Sequence, residues 1–218
     1  MLVNFKVKWF APLFLSYTMS FAQTNIRFKY PETPTVDHQD DYFGTIVKDP
    51  YRWLEDDTAA KVKAWVVAQN KVTEDYLSQI PFREKMRKRI SDFINFPKYT
   101  SPFRVGDKYI FSRNNGLQNQ PVFYVQNGLS GTPEVLIDPN KFADDGTVAI
   151  TLNGTSKDGK YLAYSISSSG SDWQRIEIIE IATKKVLEDK INWVKFPSPA
   201  RFGNGFYYSG YTVPEKGK

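Results

Sequence analysis

The chain has 218 residues, 41% of them apolar, 24% charged and 16% aromatic, which excludes a disordered or fibrous polypeptide and allows one or two globular domains. It carries a formal charge of +5, no cysteine and one histidine. Disulfides, thiolate metal sites, a cysteine nucleophile and any multi-histidine metal site are therefore excluded.

In chain order, the first 22 residues read as an export signal. Lys6 and Lys8 precede an uncharged, mostly apolar stretch from Trp9 to Phe21, and Ser20-Phe21-Ala22 sets small residues at the two positions a signal peptidase inspects. The stretch is short for a bilayer span. The mature chain is expected to start at Gln23, to be periplasmic or secreted, and to have no membrane contact once the signal is cleaved. An uncleaved anchor or a buried first strand is the alternative.

From Gln23 to Tyr42 the sequence is polar and punctuated by Pro31 and Pro34, which suggests an extended arm. Thr58 is positioned to cap a helix. Val62, Trp65, Val66, Gln69, Val72, Tyr76, Leu77 and Ile80 recur at helical spacing, and Pro81 interrupts them. A second helix carries Phe82, Met86, Ile90, Phe93 and Ile94 on one face and ends at Pro97. The same stretch holds Arg83, Lys85, Arg87, Lys88 and Arg89 within seven residues, which fits a solvated helix face; no nucleic-acid-binding signature accompanies them.

A domain boundary is expected near Asn95, dividing residues 23–95 from 96–218. Beyond it, short β-branched and aromatic runs alternate with turn dipeptides. The expected strands are Lys108–Ser112, Val122–Gln126, Glu134–Ile137, Tyr161–Ser165, Arg175–Ile181 and Phe206–Ser209. The turns include Gly106-Asp107, Asn127-Gly128, Asp158-Gly159 and Asn204-Gly205. A weak repeat runs through this region: Lys108-Tyr109-Ile110-Phe111-Ser112, Lys160-Tyr161-Leu162-Ala163-Tyr164-Ser165 and Phe206-Tyr207-Tyr208-Ser209. Its serines stand 53 and 44 residues apart, whereas a propeller blade takes about 40–50 residues. A β-sandwich with repeated hairpins remains the alternative. The length holds two to three blades, fewer than a closed propeller needs, so an incomplete polypeptide is expected.

No G-x-S-x-G elbow is present. Ser167 to Asp172 is a Ser/Gly loop followed by a strand, where an elbow requires a helix. His38, in the polar arm, lacks the surroundings of a catalytic base. Glu55-Asp56-Asp57 reads as a helix entry and Asp144-Asp145 as a turn, neither having the spacing of a calcium loop. Asn153-Gly154-Thr155 is set aside as a glycosylation acceptor.

Several strings together resemble the prolyl oligopeptidase family. Asp49-Pro50-Tyr51-Arg52-Trp53-Leu54-Glu55-Asp56 is similar to its D-P-Y-x-W-L-E-D signature, and Ala68-Gln69-Asn70-Lys71 to its A-Q-N-K segment. Gly116-Leu117-Gln118-Asn119-Gln120, Asp144-Asp145-Gly146-Thr147-Val148-Ala149 and Ser169-Gly170-Ser171-Asp172-Trp173 follow in the family's order. The resemblance runs from about Tyr30 to about Tyr211.

The resemblance implies a fold that is mainly β with an α-helical amino-terminal segment: the first two to three blades of a seven-bladed β-propeller, plus the amino-terminal arm of an α/β-hydrolase domain. It implies a serine endopeptidase that cleaves short proline-containing peptides after proline, with no cofactor and no metal. No catalytic residue has a counterpart in this chain; serine, aspartate and histidine would come from a carboxy-terminal hydrolase domain. Val194-Lys195-Phe196 matches a string whose phenylalanine borders the peptide, so Phe196 is the one expected substrate contact. No nucleic-acid partner is implied. The competing expectations are a non-catalytic partial propeller that binds a peptide or protein, and an assembly role for exposed strand edges. The chain is expected to fold poorly by itself.

Overall fold

A computed structural model describes residues 28–203 and 205–213. The export signal expected over residues 1–22 lies outside the described residues. The chain divides into two compact units, with the dividing point inside the first long helix, after Tyr76.

In the first unit, β1 (Gln39–Tyr42) pairs antiparallel with β2 (Thr45–Lys48). The end of the expected extended arm is thus a strand. Phe43 and Gly44 turn it with positive φ, and the Asp41 carboxylate accepts the Gly44 amide at 2.6 Å. The run Gln39-Asp40-Asp41 gave no strand signal because its pairing is set by the turn and by β-branched Thr45, Ile46 and Val47 opposite. A 3-10 turn follows at Arg52–Glu55, then α1 (Ala60–Ser78). Thr58 does not cap α1: its hydroxyl donates to Asp56 at 2.7 Å, and the Ala59 carbonyl accepts the Lys63 amide.

The string Asp49–Asp56 has a structural part in this unit. The Arg52 guanidinium reaches Asp40, Asp49 and Glu55. The Trp53 indole donates to the Pro34 carbonyl at 2.8 Å and meets Trp65 edge to face at 6.5 Å. Trp65 in turn donates to Thr33 at 2.9 Å, so two indole N–H groups fasten the proline-containing arm to its helix.

The second unit begins with the last turn of α1 and α2 (Arg83–Ile94). β3 (Lys98–Tyr99) and β4 (Phe103–Val105) both pair with β5 (Lys108–Asn114), followed by β6 (Val122–Asn127) and β7 (Glu134–Ile137). They form one antiparallel sheet with its strands in chain order. β8 (Val148–Thr155), β9 (Tyr161–Ser168), β10 (Trp173–Glu180) and β11 (Val186–Lys195) form a second antiparallel meander. β12 (Ala200–Phe202) and β13 (Gly205–Tyr207) make a separate hairpin.

Side-chain alternation lets β9 serve two cores. Leu162, Tyr164 and Ile166 pack with Ile110, Val125 and Leu136 of the first sheet. Ala163 packs on the other face with Ile176, Val194 and Phe206 of the hairpin. The second sheet is therefore covered on both sides, and Leu162 and Ile176 are fully excluded from solvent. Each such side chain contributes about 1.5–3 kcal/mol by burial.

Gly116 joins α2 to the first sheet. Its φ is +135°, and a Cβ there would stand 2.2 Å from Asn95 Oδ1, so only glycine lets the β5–β6 loop approach the end of α2. The body is mainly β with two helices, and among the described residues no helix is long and apolar enough to cross a membrane.

Candidate functional site

The serine-rich motif is a β9–β10 hairpin loop. Ser169 and Gly170 take positive φ, the Ser171 amide donates to the Ser168 carbonyl at 3.0 Å, and the Ser167 hydroxyl donates to the Ser171 carbonyl at 2.7 Å. Ser171 Oγ accepts the Trp173 amide at 3.1 Å. These hydroxyls hold the loop in shape, and none meets a histidine. His38 Nε2 lies 3.3 Å from Asp40 in the first unit. A nucleophile needs a positioned base within hydrogen-bond reach, and no serine has one among the described residues.

The carboxylates also sit in structural roles. Asp145 is held below the usual carboxylate range by the Thr147 amide, Asp158 by the Ser156 hydroxyl and the Lys160 amide, and Glu134 by Lys184. A general acid working near neutral pH needs the opposite displacement. Among the described residues no cluster of three or more His, Asp or Glu could hold a metal ion.

Among the described residues one carboxylate is buried. Glu177 projects between the two sheets, accepts the Tyr164 hydroxyl at 2.8 Å and pairs with Arg175 Nε at 2.8 Å. Burial, then the hydrogen bond to Glu177, pushes the Tyr164 hydroxyl well above its ordinary pKa, so it stays a donor. The site is closed and partnered, which fits a structural tie between sheets.

The exposed aromatic groups at the end of β11 are arranged differently. Val194 is fully buried, yet Trp193 and Phe196 on either side of it take φ of 58° and 45°. Bulky residues avoid this region unless the surroundings impose it. Trp193 meets Trp173 edge to face at 5.5 Å, and Tyr211 meets Trp173 at 5.5 Å and 90°. The Tyr211 amide donates to the Trp193 carbonyl at 2.9 Å. Lys195 Nζ stands 4.1 Å from the Trp173 ring centroid. Phe196, the expected substrate contact, is 73% exposed just past this cluster. The Ser/Gly motif and the Val194-Lys195-Phe196 string thus meet through Trp173. The sequence reading passed over Trp193, whose signal was a tryptophan beside Asn192 just before a strand end.

Two concavities lie elsewhere in the second unit. One, of about 490 Å³, runs between the second sheet and the β12–β13 hairpin, and Asn153 lines it. The triplet Asn153-Gly154-Thr155 does fit the N-x-[ST] acceptor pattern, which corrects its exclusion above, but Asn153 Nδ2 is buried without a partner. The folded chain does not present it for modification. The other, of about 510 Å³, is an apolar groove between the end of α1 and α2, lined by Leu77, Ile80, Phe82, Met86 and Ile90.

Comparison with known proteins agrees with this geometry. The model of the family described as "Prolyl oligopeptidase, N-terminal beta-propeller domain" matches residues 31–218. A prolyl endopeptidase of Elizabethkingia meningoseptica is 47% identical over 197 residues, which are 90% of this chain and 28% of that protein. A prolyl endopeptidase of Dictyostelium discoideum is 31% identical over 88% of this chain and 31% of its own length. Among solved structures, one from a study of inter-domain dynamics in two prolyl endopeptidases superposes with a TM-score of 0.73 at 29% identity, over 86% of this chain and 28% of its own. Prolyl oligopeptidase B from Galerina marginata, bound to a 35mer hydrolysis and macrocyclization substrate, gives 0.67 at 28% identity, over 86% of this chain and 30% of its own. The chain spans less than a third of the length of these relatives. With its two successive antiparallel sheets and a family match over residues 31–218, the chain belongs to the prolyl oligopeptidase family, in that family's amino-terminal β-propeller region.

Proposed function

We propose that this chain is the amino-terminal portion of an exported serine endopeptidase that cleaves short peptides after proline. The observation that carries the proposal is the 47% identity to a prolyl endopeptidase over 90% of the chain, confined to 28% of that enzyme. The five-stranded sheet β3–β7 and the four-stranded meander β8–β11 are the first two blades of a seven-bladed propeller, and β12–β13 opens a third. Residues 23–95 are the arm that packs on the α/β-hydrolase domain. The exposed apolar stripe of α2 supports that role, because it has no cover of its own. Export to the periplasm or the medium follows from the signal-like start.

The catalytic serine, histidine and aspartate would lie outside this chain, with histidine as base and aspartate as its orienter. The propeller would act as a lid that admits short peptides, and its opening would gate turnover. Phe196 contributes an apolar contact to the peptide, supported by its exposure and its imposed backbone.

The test is hydrolysis of a short chromogenic proline peptide, with a serine-directed covalent probe. The 218-residue chain alone should neither turn over nor label. The longer polypeptide carrying it should do both. There, Phe196→Ala should raise KM about three- to tenfold with little change in kcat, the size expected for one apolar contact. Labelling of a serine within residues 28–213 would overturn the proposal.

A further inference from the structure

The second sheet holds a groove of about 290 Å³, walled by Trp173 and Trp193 and flanked by Arg175 and Asn192. One cation, Arg175, lines it, and a second, Lys195, stands over the Trp173 ring that forms its wall. Arg175 uses Nε on Glu177 at 2.8 Å, and its terminal nitrogens have no partner among the described residues. Lys195 lies over the Trp173 ring, half-buried, with no carboxylate partner among the described residues. Asp172, the acidic residue beside Trp173 in sequence, forms no ion pair with either. A cation on an indole face keeps its charge while losing part of its hydration. Such a group gains more from an incoming anion than a fully solvated lysine does. Trp193 is held in place although its φ of 58° is unfavourable for a tryptophan. Backbone strain of this kind persists where the fold fixes a side chain for contact.

Resting on the peptidase function proposed above, the geometry points to a carboxylate-binding subsite: the indoles of Trp173 and Trp193 flank the peptide chain while Lys195 on the Trp173 ring, together with Arg175 of the groove, takes a carboxylate of the substrate. Electrostatic complementarity of this kind sets preference among peptides more than it sets overall affinity. The anion is either an acidic side chain near the proline or the terminal carboxylate of a short peptide. Both present the same group to Lys195.

The experiment uses the longer polypeptide that carries this chain and two matched substrate pairs. One pair differs in Asp against Asn next to the proline, placed on each side in turn. The other differs in a free against an amidated carboxy terminus. The wild type should favour the charged member of at least one pair by about two- to fivefold in kcat/KM, the range for a partly exposed ion pair. Lys195→Gln should bring that ratio close to one, and Lys195→Arg should retain it. The pair that responds identifies the source of the carboxylate. If Lys195→Gln leaves both ratios unchanged while Phe196→Ala raises KM for every peptide, the subsite is wrong and the peptidase reading stands. If the wild type cleaves no proline peptide at all, both fall together.

Discussion

β9 and α2 carry equally plain apolar patterns and meet opposite fates. β9 reads Tyr161-Leu162-Ala163-Tyr164-Ser165-Ile166, and the five residues from Leu162 to Ile166 are buried, since a sheet packs on each face. α2 reads Phe82, Met86, Ile90 and Phe93 at helical spacing, and no residue of it is buried. Periodicity therefore states which face of an element is made to be covered and not what covers it. In β9 the cover comes from neighbouring strands within 60 residues of chain. In α2 the face stays open, and under the function proposed here the hydrolase domain supplies its cover.

The sharpest way to break that contrast is to truncate one side chain on each element. Leu162→Ala should cost about 2–5 kcal/mol, because it opens a cavity between two sheets, and should lower the urea midpoint of the chain and of the longer polypeptide alike. Ile90→Ala, 54% exposed here, should leave the midpoint of the 218-residue chain within about 0.5 kcal/mol of wild type. In the longer polypeptide the same substitution should cost more than 1 kcal/mol if a domain covers α2. Equal effects of Ile90→Ala in the two polypeptides would mean that the stripe is not an interface.

A smaller effect is expected from Glu177, the carboxylate buried between the two sheets. Tyr164→Phe keeps the packing and removes the hydroxyl that donates to Glu177. Glu177 then loses one of its two partners while remaining buried, at a cost of about 1–3 kcal/mol. The double variant Tyr164→Phe with Glu177→Gln should recover part of that loss. Purely additive midpoint shifts would show that the pair is not coupled.

Legibility followed the same division. Expected strands such as Glu134–Ile137 coincide with the observed ones because their apolar residues, here Leu136 and Ile137, enter a core. β11 was missed because Leu187-Glu188-Asp189-Lys190 is largely polar, and its place is fixed by pairing with β10. β3 and β4 were missed for another reason: at two and three residues they are too short for any period to register. At the candidate site, Phe196 and the Ser169–Trp173 loop could be named from their strings. Their meeting through Trp173 could not, since it depends on the Trp173↔Lys195 register and on positive φ at Trp193.

The least effect, and the one with the most definite sign, concerns the acidic groups at the sheet edges. Glu134 of β7 accepts Lys184 from the β10–β11 turn at 2.5 Å, and that hydrogen bond, followed by the charge of Lys184, holds its pKa below the usual carboxylate value. A carboxylate with a lower pKa folded than unfolded adds stability above its unfolded value of about 4.3. That contribution disappears as pH falls through the folded value. Asp145 and Asp158 are displaced the same way and reinforce the slope. The thermal midpoint should therefore hold from neutral pH down to about 5 and decline below it. Glu134→Gln should leave the neutral midpoint nearly unchanged, because the pair is exposed, and should make the acid limb shallower. Acid limbs that coincide in the variant and the wild type would remove the Glu134–Lys184 tie between the two sheets from the account, and leave the apolar core as what joins them.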